Sequence, residues 1–404
     1  MTSRERVTAA FEHTWPDRTP IWEKLIKSPA ADELLGRPCA ASNFHYRMER
    51  LADGDWEGLI RQAARDEVEL CQILGFDLIR LYECGGPPAQ RPVRVNETTW
   101  RTGSYFQERM SSGWIRGWVE TPSSSGCRAG ARTPPAVSGA QKAGYKPPPY
   151  SEAEAALRHA LQEPAPPLPD HPDINYLLVR EAKAAMAEKG LDLPIFCAAY
   201  GLGVATLPPF QLQWFVTDRD LLHEYYRRNM RASLHNAKRL VQEGADIIGL
   251  GGDFASDHGP MCSPRDYREF VAGNLREQSR QLHALGVYTT NASDGNVWSV
   301  LDDFLVTAEV DGFEEIDFAA GMDMKKLKER YPDKTMIGNI DIRHTLTSGT
   351  PEQVRAHKIQ CLQDGWGNGG HILMSGNCIH ENVKVDLFLE HLRAYRDFFG
   401  LPAL

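Results

Sequence analysis

The stretch ADIIGLGG, residues 245–252, then SPRDYREFVAGNLREQSRQLHALG, residues 263–286, then VYTTN, residues 287–291, decides the fold. The first run is almost wholly apolar or glycine, the pattern of a strand buried on both faces. The second opens on Ser263 with Pro264 at the first helical position and stops at Gly286, so it reads as a capped helix. The third is β-branched and aromatic and predicts another buried strand. Strand, helix and strand in that order make a parallel crossover unit.

Outward from this unit the alternation continues. Further candidate strands are Thr19–Trp22, Asp77–Tyr82, Pro194–Tyr200, Gly312–Ile316, Thr335–Ile340 and Gly370–Ser375. Helical patterns run over Leu221–Glu243 before Gly244, over VWSVLDDFL (297–305), from Thr350–Pro351 to a stop at Gly365, and over Leu387–Phe399 before Gly400. Eight strands with helices between them predict an α/β fold, a parallel (β/α)8 TIM barrel spanning 1–404 as a single domain. An open doubly wound sheet would carry a glycine-rich phosphate loop after its first strand, and the sequence has none there. Residues 106–172 interrupt the alternation. Their stretch TPSSSGCRAGARTPPAVSGAQKAGYKPPPY is rich in Ser, Gly and Pro, so 106–172 is expected to be an irregular surface insertion. A solvated loop is the simpler reading of it, and a lid over the barrel mouth the sharper one.

Composition narrows the function classes. The 404 residues are 42% hydrophobic and 25% charged, with a formal net charge of −9. That suits a soluble protein with a sizeable core and disfavours a nucleic-acid surface, which needs a basic patch. No run of 18 apolar residues suggests a membrane span, and MTSRERVTAAFEHTWPDRTP has no apolar core of a secretory signal. The 8 cysteines are scattered and form no CxxC pair, so reduced thiols and a cytoplasmic location are expected.

In a barrel, chemistry collects where strands end. The residues at those places are Glu23 and Lys24; Tyr82, Glu83 and Cys84; Tyr200; Asp253, Asp257 and His258; Asn291, Ser293 and Asp294; Glu314, Glu315 and Asp317; Asn339, Asp341 and Arg343; Cys378, His380 and Glu381. A carboxylate near almost every strand end is more than a core tolerates without compensation. From these we expect Asp253, Asn291, Asp294 and Asp341 to act in catalysis. Glu23, Lys24, Tyr82, Glu83, Tyr200, Glu315, Asn339 and Arg343 are expected to hold substrate. Two segments stand out. NASDGN (291–296) follows a strand and reads as a site loop, or as a plain capped turn. SGNCIHEN (375–382) puts a thiol and an imidazole two residues apart, a pairing that suits zinc, or else a half-buried cysteine beside a solvent-facing histidine.

Several longer motifs resemble the uroporphyrinogen decarboxylase superfamily, in particular its methyltransferase-like branch. They are SRERVTAAFEHTWPDRTPIW, GADIIGLGGDFASDHGPMCSPRDYREF, ASDGNVWSVLDDF with VDGFEEID, AGMDMKKLKERYPDKTMIGNIDIRHTLTSGTPEQVR and GGHILMSGNCIHEN. The resemblance covers 1–105 and 173–404. It implies a (β/α)8 barrel and either decarboxylation or methyl transfer onto a corrinoid protein. In the family's zinc branch a His-x-Cys after the fifth strand and a Cys after the eighth bind the metal. Here the second Cys falls on Cys378, but the His-x-Cys falls on Ala292 and Asp294. A zinc ion would then draw on Cys378, His380 and Asp294 in a more oxygen-rich set. The decarboxylase's Arg-bearing first loop reads EKLIKSPAADEL here, and its second strand ends in LYECGG without Asp, which argues against uroporphyrinogen as substrate.

The leading expectation is a methyltransferase that moves a methyl group from a small methylated, for example methoxylated, substrate to a corrinoid (cobalamin) carried by a partner protein. The alternative is a decarboxylase or lyase on another small carboxylated molecule. A non-catalytic binding barrel would not need so dense an acidic ring. Neither nucleic acid nor membrane is expected as a partner.

Overall fold

A computed structural model describes residues 1–103, 105–110, 115–119, 150–366 and 369–403. In chain order the strands are β1 (Ile79–Arg80), β2 (Val93–Arg94), β3 (Thr99–Thr102), β4 (Tyr105–Arg109), β5 (Ile115–Val119), β6 (Ile195–Ala198) and β7 (Ile247–Gly251). They continue with β8 (Ala255–Ser256), β9 (Gly259–Pro260), β10 (Tyr288–Ala292), β11 (Gly312–Ile316), β12 (Thr335–Gly338) and β13 (His371–Ile372). Seven of them form one parallel sheet in the order β1-β6-β7-β10-β11-β12-β13. Residues 19–22 fill the eighth place. Trp22 donates its N–H to Leu373 at 3.0 Å, Leu373 donates to Pro20 at 2.8 Å, and Asp77 donates to Ile21 at 2.8 Å, so this segment joins the two sheet ends. The fold is the TIM barrel that the strand count predicts, with each predicted strand present as a core of two to five ladder residues or, for the first, as a bridge at Ile21.

The helix signals hold where they are strongest. Ser263 caps the turn Pro264–Asp266 by accepting from the Asp266 N–H, and the long helix Arg219–Glu243 ends on Gly244 at φ 105. Two expectations are corrected. VWSVLDDFL is not one regular helix but a 3-10 turn at Trp298–Val300 and a π-turn at Asp303–Thr307. Gly365 does not end its helix, which runs over Pro351–Trp366. A Cβ on Gly365 would sit 2.1 Å from the His371 ring, so the glycine serves close packing, not termination.

Within 106–172, residues 106–109, 115–119 and 150–162 form regular structure, whereas 163–172 is irregular as expected. The strands β2 to β5 build a four-stranded antiparallel sheet that draws on 105–109 and 115–119. The helix Tyr150–Gln162 docks through Arg158 to Asp218 (2.8 and 2.7 Å) and through the Trp214 indole N–H to Glu154 (3.1 Å). Most of the Ser/Gly/Pro-rich stretch, with Cys127, lies outside the described residues.

Between strands and helices sits an aromatic layer. Phe304 packs edge-on to Phe313 at 4.8 Å, and Phe254 to Tyr267 at 5.1 Å. Such pairs add about 0.5–1.5 kcal/mol beyond the area they bury. Phe313 therefore points out to the helices, and its neighbours Gly312 and Glu314 point the other way, as strand alternation requires.

Candidate active site

Glu314 is fully buried on the inner face of β11. Its Oε1 accepts from the Thr290 hydroxyl of β10 (3.0 Å) and from the Tyr200 hydroxyl after β6 (3.1 Å). Room for it comes from β7: a Cβ on Gly249 would lie 2.5 Å from that oxygen. Lys24, 4% exposed, completes the cluster. Its ammonium donates to Glu315 at 2.5 Å, stands 3.4 Å from Glu314, and lies 4.7 Å from the Tyr200 ring centre. Burial raises the Glu314 pKa and Lys24 opposes the rise. A buried lysine between two carboxylates is held charged by them, which offsets part of its desolvation.

Glu315 follows in a conformation that few residues adopt. Its φ is 64°, and the β11–β12 register shifts between Glu314 and Ile316. This is a β-bulge, with a non-glycine residue in the left-handed region at a cost of order 1–2 kcal/mol. The bulge turns the carboxylate toward Lys24 and toward Asp253 and Asp294, both of which feel its charge.

Asp253 follows β7, and its carbonyl accepts from Val204 (2.8 Å) and Ala205 (2.9 Å), which fixes the loop. Asp294 follows β10. Its N–H faces the Asp253 carboxylate at 3.4 Å, and both its own oxygens accept from the Asn377 amide, at 3.0 and 2.8 Å. Burial, then the Glu315 and Asp253 charges, push Asp294 up to about 8, against the Asn377 hydrogen bonds. Asp253 is raised by burial and by Glu315. Crowded carboxylates cannot all ionise, and Asp294 is the one that keeps a proton at neutral pH. Cys378 lies on the same rim, half-buried, within electrostatic reach of Glu315 and Lys24.

Other expected site residues are spent elsewhere. Asn291, 0% exposed, points into the aromatic layer and donates to the Phe304 carbonyl (3.0 Å) and the Tyr267 hydroxyl (3.3 Å). Asn339 donates to the Met322 carbonyl at 2.9 Å. Asp341 caps the turn Ile342–Leu346, accepting from Arg343 (3.0 Å), His344 (3.2 Å) and the Thr345 hydroxyl (3.1 Å). Glu23 accepts from the Ser375 N–H and hydroxyl and faces His391 at 3.5 Å, away from Lys24. Glu83 takes the Asn175 amide at 2.8 Å. Arg343 grips Asp257 at 2.7 and 2.8 Å and also bonds Asp317. The sequence places Asn291, Asn339, Asp341, Glu23 and Glu83 at strand ends, and the structure engages each with the partners just named.

The expected zinc ligands do not fit together. Among the described residues no three His, Cys, Asp or Glu side chains form a group that could hold a metal. Ala292 brings a methyl where the resemblance calls for an imidazole, and Asp294 has both oxygens on Asn377. The His380 ring accepts the Asn382 N–H at 3.2 Å. In the structure Asp294 stands as a carboxyl group held by the Asn377 amide, with the Cys378 thiol on the same rim.

Two groups escaped the sequence reading. Asn377 sits inside SGNCIHEN but drew no notice beside the thiol. Arg80, inside a predicted strand, lines a cavity of about 170 Å³ with Lys24, Leu25, Ala41, Glu67 and Tyr82.

The uroporphyrinogen decarboxylase (URO-D) family model matches residues 197–397, the part of the chain that carries Tyr200, Asp253, Asp294, Glu314, Glu315 and Cys378. These residues belong to the uroporphyrinogen decarboxylase superfamily. Two relatives, each named methylcobamide:CoM methyltransferase MtaA, point to its methyltransferase branch. The protein from Methanosarcina barkeri is 24% identical, and that from Methanosarcina barkeri (strain Fusaro / DSM 804) is 22% identical, over 178 residues. That is 44% of this chain and 49% of each relative, so the chain matches about half the length of the curated relatives. A solved methyltransferase from Methanosarcina mazei superposes with a TM-score of 0.62 at 17% identity, over 99% of both chains. At that identity the URO-D-type likeness is one of fold. No helix among the described residues is long and apolar enough to cross a membrane.

Proposed function

We propose that this barrel is a methyltransferase that moves a methyl group from a small methylated substrate to a corrinoid protein. The observation that carries the reading is Asp294: a carboxyl kept protonated near neutral pH by burial and by Glu315 and Asp253, on the rim of a barrel whose relatives are methyltransferases. Losing a methyl group leaves an electron pair on the donor heteroatom. A positioned acid with a pKa near the working pH can protonate that atom as it leaves, an effect of about 10²–10⁴ in rate. Asn377 aims the acid. Lys24 bonds Glu315 beside it, and the Glu315 charge favours the proton staying on Asp294.

The corrinoid, carried by a partner protein, supplies the methyl acceptor. A methoxylated donor is one example, since an alkoxide or phenoxide leaving group takes up a proton from such an acid. A second reading, a carboxy-lyase, draws on the Arg80 guanidinium, which faces the cavity and would hold a carboxylate. Incubating the protein with a cobalamin-loaded corrinoid protein and candidate donors separates the two: growth of the methylated corrinoid's absorption supports methyl transfer, and release of CO₂ without it supports the lyase.

A further inference from the structure

The cavity beside Lys24 holds a guanidinium and a carboxyl group that do not meet. Arg80 stands at the end of β1 with its Nε buried and unpartnered. Other arginines of this chain grip carboxylates: Arg18 meets Asp77 at 2.6 Å, Arg37 meets Asp66 at 2.7 Å, and Arg343 meets Asp257 at 2.7 Å. Arg80 feels the charge of Glu67, which lines the same cavity from the helix Trp56–Leu74, yet forms no ion pair with it.

The groups that would quench Glu67 are committed elsewhere. Arg47 donates to the Ala40 carbonyl at 2.5 Å. Asp66, next in sequence, is taken by Arg37 and by the Ala40 N–H at 2.7 Å. Lys24 is engaged with Glu315 and Glu314. Burial pushes Glu67 up to about 7, and a cationic group beside it would hold it ionised, while the half-buried Arg80 keeps its Nε shut off from water with no partner. The gap is small. At roughly 30 Å³ per water molecule it holds about six waters, or one compact organic ion.

We infer that this cavity is a subsite for a small zwitterion, with its carboxylate on Arg80 and its cationic nitrogen between Glu67 and the Tyr82 ring. Guanidinium and carboxylate match in geometry. A carboxylate and an aromatic face together recognise an alkylated ammonium. The inference rests on the methyl-transfer reading above, and it names the substrate class as an N-alkylated amino acid.

Calorimetric titration of the full chain with glycine betaine, acetate and tetramethylammonium tests it without any corrinoid or turnover. Betaine binds at least about tenfold more tightly than either half-ligand, as expected when two charge-assisted contacts act together. Arg80→Gln loses betaine and acetate together. Glu67→Gln brings betaine down to the affinity of acetate and leaves acetate unchanged. Arg80→Lys, which keeps the charge, restores part of the betaine binding and shows that the loss is not misfolding. Betaine binding no tighter than acetate, or binding untouched by Arg80→Gln and Glu67→Gln, overturns the inference. Methyl transfer from another donor in an enzyme that ignores betaine would leave the methyltransferase reading standing and sink only the zwitterion.

Discussion

The side-chain amide of Asn377 donates to both carboxylate oxygens of Asp294, at 3.0 and 2.8 Å, and so ties the loop after the last barrel strand to the loop after β10. The amide is uncharged, so it orients Asp294 without cancelling the repulsion from Glu315 and Asp253. A cation in its place would have turned the same group into an ordinary ionised carboxylate.

This has a consequence for stability. In the unfolded chain an aspartate titrates near 3.9, whereas Asp294 in the folded chain is pushed up to about 8. Between those values the native state holds a proton that the unfolded state has lost, so stability falls as pH rises from about 4 to about 8 and levels off above. Asp294→Asn removes that dependence. The variant is expected to melt higher than the parent at pH 8 and nearly level with it at pH 4, as thermal unfolding across that range will show. A parent whose melting temperature rises steadily over this window contradicts the assignment.

Lys24 is the only cation of the described residues within ion-pair distance of Glu314 and Glu315. Removing one partner of a buried pair typically costs about 3–5 kcal/mol, because the other charge stays behind. Lys24→Met should therefore destabilise by about that amount in denaturant unfolding at pH 7, and adding Glu314→Gln to it should recover part of the loss. An equally stable Lys24→Met protein would show that the cluster is not dry.

Asp341 illustrates the opposite case. Its oxygens are used by the N–H groups of Arg343 and His344 and by the Thr345 hydroxyl, so it behaves as a helix cap. Asp341→Ala should cost about 1 kcal/mol, the usual value of a lost cap. Turnover measured below its melting temperature should stay within about threefold of the parent, since the cap makes no contact that changes in the transition state. A hundredfold loss of turnover with unchanged stability would return Asp341 to the catalytic set.

Size governs a further expectation. The cavity beside Lys24 holds about 170 Å³, below the roughly 300–1,000 Å³ of pockets that enclose drug-sized ligands. A tetrapyrrole with many carboxylates would also need several cations, and this cavity offers Arg80 and an already engaged Lys24. Uroporphyrinogen should show no turnover above background when CO₂ release is followed under anaerobic conditions.

The barrel was legible because its signals are redundant: apolar strands, capped helices and glycine stops all repeat, and losing one, as at Gly365, changes nothing in the topology. The site was legible only in part. Lys24, Tyr82, Tyr200, Asp253, Asp294 and Glu315 stand where strand ends placed them. Asn291 and Asn339 did not, because one residue of strand phase separates the pocket from the helix layer. Glu67 and Arg80 carried no local signal at all, since one lies mid-helix and the other within a strand. The bulge at Glu315 depends on packing that no local pattern encodes.

The most direct test of the central claim is single-turnover methyl transfer to a cobalamin-loaded corrinoid protein, measured from pH 6 to 10 for the parent, Asp294→Asn and Asn377→Leu. An acid with a pKa near 8 predicts a parent rate that is flat below about pH 8 and falls above it. Asp294→Asn should be slower by about 10²–10³ with no such fall, as for loss of a general acid. Asn377→Leu, which removes a hydrogen bond that favours the ionised form, should move the fall to higher pH. A parent rate that rises through pH 8, or an Asp294→Asn rate equal to the parent's, contradicts the account.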